Sequence, residues 1–414
     1  MRRKTTVAAI DVGSTKVAVI VGDAGPMGET RVLGVGVAPA AGLTRGVIDN
    51  ITSARESIAI AVEKAEQACG MRILSAVIGV SGAHISSQSN RGIIAITDRL
   101  RPITSDDRAR VLETAGQIAI PTNRQVLHVL PRHYWVEGTE PVSDPVGMYG
   151  VRLDAETHIV TAQTSAIQNL TKCVEGAGVT VDEVVIESLA SAYSVLTEQE
   201  KAQGVALVDI GGAVTSLIVF HEGTVAHTAS LALAGSHLTQ DLAQMLRCPW
   251  ESAEDLKCRH GAAHAGGVAP GDTAEIKAFG THAQKSVPLE YVREILQARC
   301  EEILEMVQIE LKRVDYFDNI AAGLVLTGGT SQLAGFAEVA EARLALPARI
   351  GLPAGYSGMS DIIGTPAYAT SIGLVEYALQ SRDRPAELVS AGFEVPVGGI
   401  FRRLASLGRA LMPQ

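Results

Sequence analysis

One short pattern constrains this chain more than any other: an apolar run ending on aspartate, a glycine turn, and a second apolar run. Residues 204–220, GVALVDIGGAVTSLIVF, carry it, with Asp209 closing the first run and Gly211 and Gly212 in the turn. The pattern reads as strand, tight turn, strand. Adjacent glycines let backbone N–H groups approach a bulky anion without a Cβ in the way. A carboxylate at the strand end repels phosphate by itself, but it can hold the waters of a Mg²⁺ ion that bridges to phosphate oxygens. An ordinary buried hairpin with a turn aspartate explains this single stretch equally well. The pattern, however, occurs twice. Residues 7–21 read VAAIDVGSTKVAVIV, and laid over the later run Asp11 falls on Asp209, Gly13 on Gly211 and Thr15 on Ala213. One repeat at such a distance is not a solenoid period. It implies two related domains, each offering a hairpin to one nucleotide held between them. A third glycine turn at 324–331, LVLTGGTS, follows another apolar run. It is expected to precede a helix, whose N-terminus suits a phosphate or a ribose edge.

With 414 residues, 47% of them hydrophobic, the chain can bury a large core and should hold more than one domain. Five scattered cysteines, an odd number, point to reduced thiols rather than a disulfide framework. Cys248, Cys258, His260 and His264 do not fit a pair-plus-pair zinc spacing. A net charge of −10 and the lack of a basic stripe argue against a nucleic-acid partner. Met1-Arg2-Arg3-Lys4 leads straight into the first strand, so no signal peptide is expected. No charge-free apolar run reaches spanning length, so no transmembrane helix is expected either.

The two hairpins and the late glycine turn, in this order, resemble the actin-like ATPases, which share the fold of DnaK-type chaperones and sugar kinases. The resemblance implies an α/β, actin-like ATPase fold with two related domains around a nucleotide cleft, and ATP with Mg²⁺ as cofactors. It makes the hairpins the phosphate-1 and phosphate-2 motifs and the late turn the adenosine motif. Asp11 and Asp209 would then hold Mg²⁺ through water, and Gly13, Ser14, Thr15, Lys16, Gly211 and Gly212 would surround the phosphates. Gly235, Gly328, Gly329 and Thr330 would lie on the adenosine side with Glu254 and Lys257, which stand three apart on an expected helix. An exposed ion pair explains those last two as well. Glu187, at an expected strand-to-helix corner, is the candidate base, because an acid there orders the attacking water in chaperone and MreB-type relatives. Interaction with the helix dipole is its alternative role. The phosphate-2 pattern D-x-G-G-G-T-T-D is broken here: Ala213-Val214-Thr215-Ser216 follow Gly211-Gly212, which removes the third glycine and the closing acid. Slow hydrolysis is therefore expected. Ala234 also stands where the entry to subdomain IIB normally has a glycine.

Between the hairpins the chain reads as a helix capped by Thr52 or Ser53 and ended by Gly70, a strand at 73–80, and then a segment of different texture at 84–164. That segment shows strands at 92–97, 126–136 and 158–164 and a helix at 106–118 behind Ser105-Asp106-Asp107, an inserted α+β module. Its runs GVSGAHISSQSNRG, VLHVLPRHYWVEG and DPVGMYGVRLDAETHIVT resemble the subdomain peculiar to the FtsA family of bacterial cell-division proteins. The resemblance covers nearly the whole chain. It implies subdomain IA at 1–83 and 165–196 with a closing helix at 365–380, the insert IC at 84–164, IIA at 197–230 and 301–364, IIB at 231–300, a linker at 381–397 and a membrane-targeting helix at 398–414. It also implies the role: filaments of the protein itself on the cytoplasmic face of the cell membrane at the division site, tethering FtsZ and recruiting later divisome membrane proteins. In the family IIB binds the FtsZ C-terminal peptide, and Arg299 falls where an arginine commonly lies near that groove. A helix-surface ion pair with Glu301 or Glu302 is the plainer role for Arg299.

The tail GGIFRRLASLGRALM at 398–412 reads independently as an amphipathic helix. Ile400, Leu404, Leu407 and Leu411 share one face with Phe401 at its edge, while Arg402 and Arg409 lie opposite and Arg403 on the other flank. With no acid among them, this is the pattern of a peripheral helix on an anionic membrane surface. Docking on the protein's own core is the alternative, which the proline-bearing linker with Pro385 and Pro396 disfavours. Apolar burial and attraction of arginine to anionic lipid roughly offset the entropy of ordering the segment. Stable attachment should therefore need several tails on one assembly. Two rivals share the fold. A sugar kinase would need a substrate base and a sugar-binding polar cluster, and none stands out. A PilM-like pilus-assembly adaptor would lack the basic terminal helix.

Overall fold

The computed structural model describes residues 6–383 apart from 26–27, 45, 139, 270 and 280–283. The expected linker beyond Asp383 and the tail residues Ile400, Phe401, Arg402, Arg403, Leu404, Leu407, Arg409 and Leu411 lie outside the described residues. The chain opens with β1 (Val7–Val12), β2 (Lys16–Ala24) and β3 (Thr30–Pro39), then crosses through α1 (Ile51–Cys69) to β4 (Ser75–Val80). It leaves this sheet for β5 (Ser86–Ala95), α2 (Ser105–Gly116), β6 (Arg124–Val136) and β7 (Arg152–Gln163). Helix α3 (Thr164–Gly176) returns it to β8 (Thr180–Ile186), α4 (Glu187–Val195) and α5 (Glu198–Gln203). The second half runs through β9 (Val205–Ile210), β10 (Thr215–His221), β11 (Thr224–Leu231), α6 (Gly235–Leu246), α7 (Trp250–His260), β12 (Thr273–Lys277) and β13 (Gln284–Pro288). It ends with α8 (Leu289–Arg313), β14 (Leu324–Thr327), α9 (Phe336–Leu344), β15 (Ala348–Ile350), the one-turn α10 (Ser360–Ile363) and α11 (Ala369–Asp383).

The sequence repeat is a repeat of topology. In the first sheet the order is β3-β2-β1-β4-β8, with a two-strand-residue edge piece (Tyr356–Ser357) beyond β3, and in the second it is β11-β10-β9-β14-β15. In both, the first three strands in chain order are antiparallel neighbours, while the last two pair in parallel. Strands β1 and β9 run down the middle of their sheets and are buried along their whole length, which is why they read as unbroken apolar runs with one acid each. The insert forms a third sheet, β5-β7-β6, with α2 packed on it and a small core of its own around Ile103, Val111, Leu112, Tyr134 and Leu153. Among the described residues no helix is long and apolar enough to cross a membrane.

Several local boundaries move. Helix α1 begins earlier than Thr52 or Ser53 suggest, because Asn50 holds the extended backbone of a cap and its side chain accepts from the Ser53 amide at 3.1 Å; Gly70 ends the helix in the left-handed conformation, as expected. Helix α2 is capped by Thr104, whose reciprocal bonds with Asp107 form a capping box. The first insert strand starts at Ser86, well before the expected 92, because its polar run pairs with β7 from Ser86↔Thr161 to Ala95↔Arg152. The helix expected right behind the third glycine turn is only a 3₁₀ turn, Gly329–Gln332; α9 starts at Phe336. The closing helix α11 starts at Ala369 and runs to Asp383, three residues into the stretch read as linker.

Candidate nucleotide site

Each hairpin turns in the same way. Gly13 N–H donates to Lys16 O at 3.0 Å and Gly211 N–H to Val214 O at 3.0 Å, so each tip is a four-residue loop. The ladder sets Asp11 opposite Ala18 and Asp209 opposite Ser216, each two residues before its loop. The two tips meet: a Cβ on Gly212 would lie 2.6 Å from Thr15 Cγ2. Below them opens a cleft lined by both tips.

Of the sequence-predicted residues, Asp11, Gly13, Ser14, Thr15, Lys16, Glu187, Asp209, Gly211, Gly212, Gly328 and Gly329 line this cleft. Gly328 has φ +84°, and a Cβ there would sit 2.4 Å from Asp209 Oδ1, so only glycine lets the third turn come this close to the carboxylate. Gly235, Thr330, Glu254 and Lys257 stand one layer behind. The Gly235 and Ser236 amides donate to Gly211 O at 3.1 Å and Gly212 O at 2.6 Å, and Thr330 Oγ1 donates to Gly211 O at 2.8 Å. Lys257 Nζ lies 2.7 Å from Glu254, donates to Thr239 Oγ1 at 2.8 Å and reaches Gly235 O at 3.2 Å, while the Thr239 hydroxyl bonds Glu254. This pair therefore fastens α7 to the N-terminus of α6, behind the second hairpin.

The electrostatics are lopsided. Lys16 is the single lysine or arginine among the lining residues, against Asp11, Glu187 and Asp209. Its ammonium donates to Ala367 O at 2.5 Å and lies 4.3 Å from the centre of the Tyr368 ring. Burial pushes the Asp11 carboxyl above its usual range, with Lys16 and a bond from Ser371 pulling it back. Burial also raises Asp209, against bonds from Ser191 and Thr370. Glu187 is raised well above the usual range, first by burial and then by Asp11. It opens α4 directly after β8, and its Oε1 is buried with no hydrogen-bond partner among the described residues. A set of hard carboxylate oxygens with too little positive charge, one of them orphaned, fits a hydrated Mg²⁺.

Sequence reasoning missed the hydroxyls that hold these acids. Ser371 Oγ donates to Asp11 Oδ2 at 2.6 Å; Ser191 Oγ and Thr370 Oγ1 reach Asp209 Oδ2 at 2.6 and 3.0 Å. Thr370 and Ser371 lie far away in the chain, as a Thr-Ser pair inside ATSIGLVEYA, and Ser191 lies 18 residues before Asp209 on α4; none carries a local mark of its partner. For Arg299 the structure supplies a partner that the sequence did not: Asp241 on α6, bidentate at 2.6 and 2.9 Å, with Glu302 as a third contact. Glu301 accepts from Gln297 instead.

The family model for the cell division protein FtsA matches residues 206–373, and the model for the SHS2 domain inserted in FtsA matches residues 82–161. The chain is 42% identical over 376 residues to the cell division protein FtsA of Pseudomonas aeruginosa, covering 91% of this chain and 90% of that one. Among solved structures, the fold is shared with the PilM-PilN type IV pilus biogenesis complex (TM-score 0.64, 14% identity, 91% of this chain and 99% of that chain). It is shared also with MreB5 of Spiroplasma citri bound to AMPPNP (TM-score 0.54, 14% identity, 91% and 98%). An actin-like fold built twice around an acidic cleft, an inserted SHS2 domain and identity at this level over nearly the full length agree: the chain belongs to the FtsA family of cell division proteins, on the actin-like ATPase fold.

Proposed function

We propose that the cleft binds ATP with Mg²⁺, and that the protein forms filaments on the cytoplasmic face of the cell membrane at the division site, tethers FtsZ there and recruits later divisome membrane proteins. The observation that carries the nucleotide part is the convergence of two duplicated strand ends, Asp11 and Asp209, with three glycine turns on one cleft. The Gly13 and Gly211 amides close their own loops, whereas the amides of Ser14, Thr15, Gly212 and Ala213 have no partner among the described residues. These four and Lys16 are the groups that would meet phosphate oxygens. Asp11 and Asp209 would hold the metal through water, and bound Mg²⁺ would supply charge neutralisation for the phosphates. The added positive charge would also draw Glu187 toward its carboxylate form, which a base needs. With Ala213 in the second turn and Ser216 opposite Asp209 on β10, hydrolysis should be slow.

The membrane part rests on the sequence of 398–412: one apolar face, three arginines and no acid. Sedimentation with liposomes, with and without ATP, tests both parts on the full-length protein and on a form ending at Val397. The full chain should pellet with anionic liposomes, more so with ATP. Phe401→Glu or Leu404→Glu should release it while calorimetry shows nucleotide binding intact. Equal sedimentation of the form ending at Val397 would sink membrane tethering. For FtsZ, an acidic peptide would have to compete with Asp241 for Arg299. Arg299→Glu should weaken binding of the FtsZ C-terminal peptide and leave ATP affinity unaltered; unchanged peptide affinity would reduce Arg299 to a clasp between α6 and α8.

A further inference from the structure

Helices α4 and α11 pack against one another through a seam whose neighbours Ala190, Ile372 and Leu374 are fully buried. Buried hydroxyls interrupt this apolar seam, among them Ser191 and Ser194 on α4 and Thr370 and Ser371 on α11. A hydroxyl is costly there unless it is hydrogen-bonded. Ser194 is satisfied within the scaffold, by Ser191 O at 3.2 Å and Ala369 O at 2.7 Å. The other three reach the two carboxylates of the cleft, and of them Thr370 also lines it. Ser191 and Thr370, 2.8 Å from one another, both lie on Oδ2 of Asp209, and Ser371 lies on Oδ2 of Asp11. Consecutive residues of one helix thus hold one carboxylate from each half of the molecule.

We infer that Ser191, Thr370 and Ser371 are positioning residues for the divalent cation that Asp11 and Asp209 would share. Each carboxylate is pinned by its Oδ2, and its Oδ1, which makes no hydrogen bond among the described residues, stays available to the cation's waters. A charge-assisted bond holds an acid in one rotamer. Without it, two carboxylates close to Glu187 would turn apart under mutual repulsion. Because Thr370 and Ser371 are neighbours on a buried helix, the separation of the two carboxylates is set by α11 as well as by the approach of the two halves. The scaffold alone has no need of this: small apolar residues would fill the seam, and Ser194 shows what a purely internal hydroxyl does there.

The inference rests on the Mg-ATP reading above, and one experiment separates the two. A fluorescent ATP analogue is titrated into the wild type, Ser191→Ala, Thr370→Val, Ser371→Ala and Ser194→Ala, in excess Mg²⁺ and in EDTA. In Mg²⁺ each of the first three variants should bind about tenfold more weakly, the loss of one hydrogen bond to a charged group. In EDTA they should match the wild type, and Thr370→Ser should recover the Mg²⁺-dependent affinity. Ser194→Ala should leave the ratio of the two affinities untouched. Equal losses in Mg²⁺ and in EDTA, or no loss in Mg²⁺, would overturn the inference. A wild type that binds the analogue in neither condition would overturn the Mg-ATP reading itself and this inference with it. Melting without nucleotide identifies any variant that does not fold; should Thr370→Val be one, Ser191→Ala tests the same carboxylate.

Discussion

The two halves of the molecule share a strand order, a strand polarity, an aspartate at the same rung and the same loop-closing bond, yet their loops offer different chemistry. The first tip, Gly13-Ser14-Thr15-Lys16, carries two hydroxyls and the cleft's cation. The second, Gly211-Gly212-Ala213-Val214, carries no polar side chain, and its carbonyls are occupied by Gly235, Ser236 and Thr330. The first hairpin offers side chains as well as backbone, and the second offers backbone alone, held still by the elements behind it. Duplication preserved what the backbone needs, while the loop residues that the backbone leaves free diverged.

The sharpest way to break this comparison is to remove the shared element. Asp11→Ala and Asp209→Ala should each weaken Mg-ATP binding on the order of 10–100-fold, the usual range for residues that hold a metal through a second shell. Calorimetry that finds one of them silent would show that the two halves have diverged at the metal as well as at the tips. Next in size is the tip difference itself. Lys16→Met should cost about tenfold in nucleotide affinity, whereas Val214→Met, at the equivalent loop position, should cost little. Comparable losses would mean that the tips are not chemically distinct.

Only the first half carries the insert, and its sheet leans on β11 of the second half. Ser87 Oγ donates to Thr228 O at 2.8 Å, His158 Nε2 lies 3.0 Å from Thr228 Oγ1, and Arg132 donates to the Tyr316 hydroxyl at 2.7 Å. Burial holds the His158 imidazole down at about 3, from an ordinary value of 6.5. The unfolded chain therefore takes up this proton first as pH falls. The stability is complete above pH 6.5 and is lost progressively below it, by roughly 2 kcal/mol at pH 5. Urea unfolding of His158→Gln should show a shallower loss between those pH values than the wild type. Identical slopes would place the acid sensitivity elsewhere, with His128, which burial lowers to about 4, as the next group to replace. The smallest effect concerns α6 and α8: the partly exposed Arg299–Asp241 pair should contribute about 1 kcal/mol or less, read as the urea midpoint of Asp241→Asn. A loss of several kcal/mol would make the pair a structural keystone and a poor candidate for a peptide contact.

The duplicated hairpins, the three glycine turns, the inserted module and the corner at Glu187 were legible in the order of the amino acids. All of these depend on short-range signals: unbroken apolar runs for central strands, glycine where backbone must turn or approach, and an acid at a strand end. Glu254 and Lys257 were legible as neighbours too, because three residues bring side chains together on any helix. What such residues touch depends on how distant segments pack. That packing put the Glu254–Lys257 pair behind the second hairpin, gave Arg299 to Asp241 across 58 positions, and drew the polar run at Ser86 into a strand because β7 supplied its ladder. Above all it brought Ser371 to Asp11 across 360 positions and Thr370 to Asp209 across 161. A hydroxyl on an apolar helix carries no local mark of its partner, since the bond that justifies its burial exists only after two distant segments have packed together.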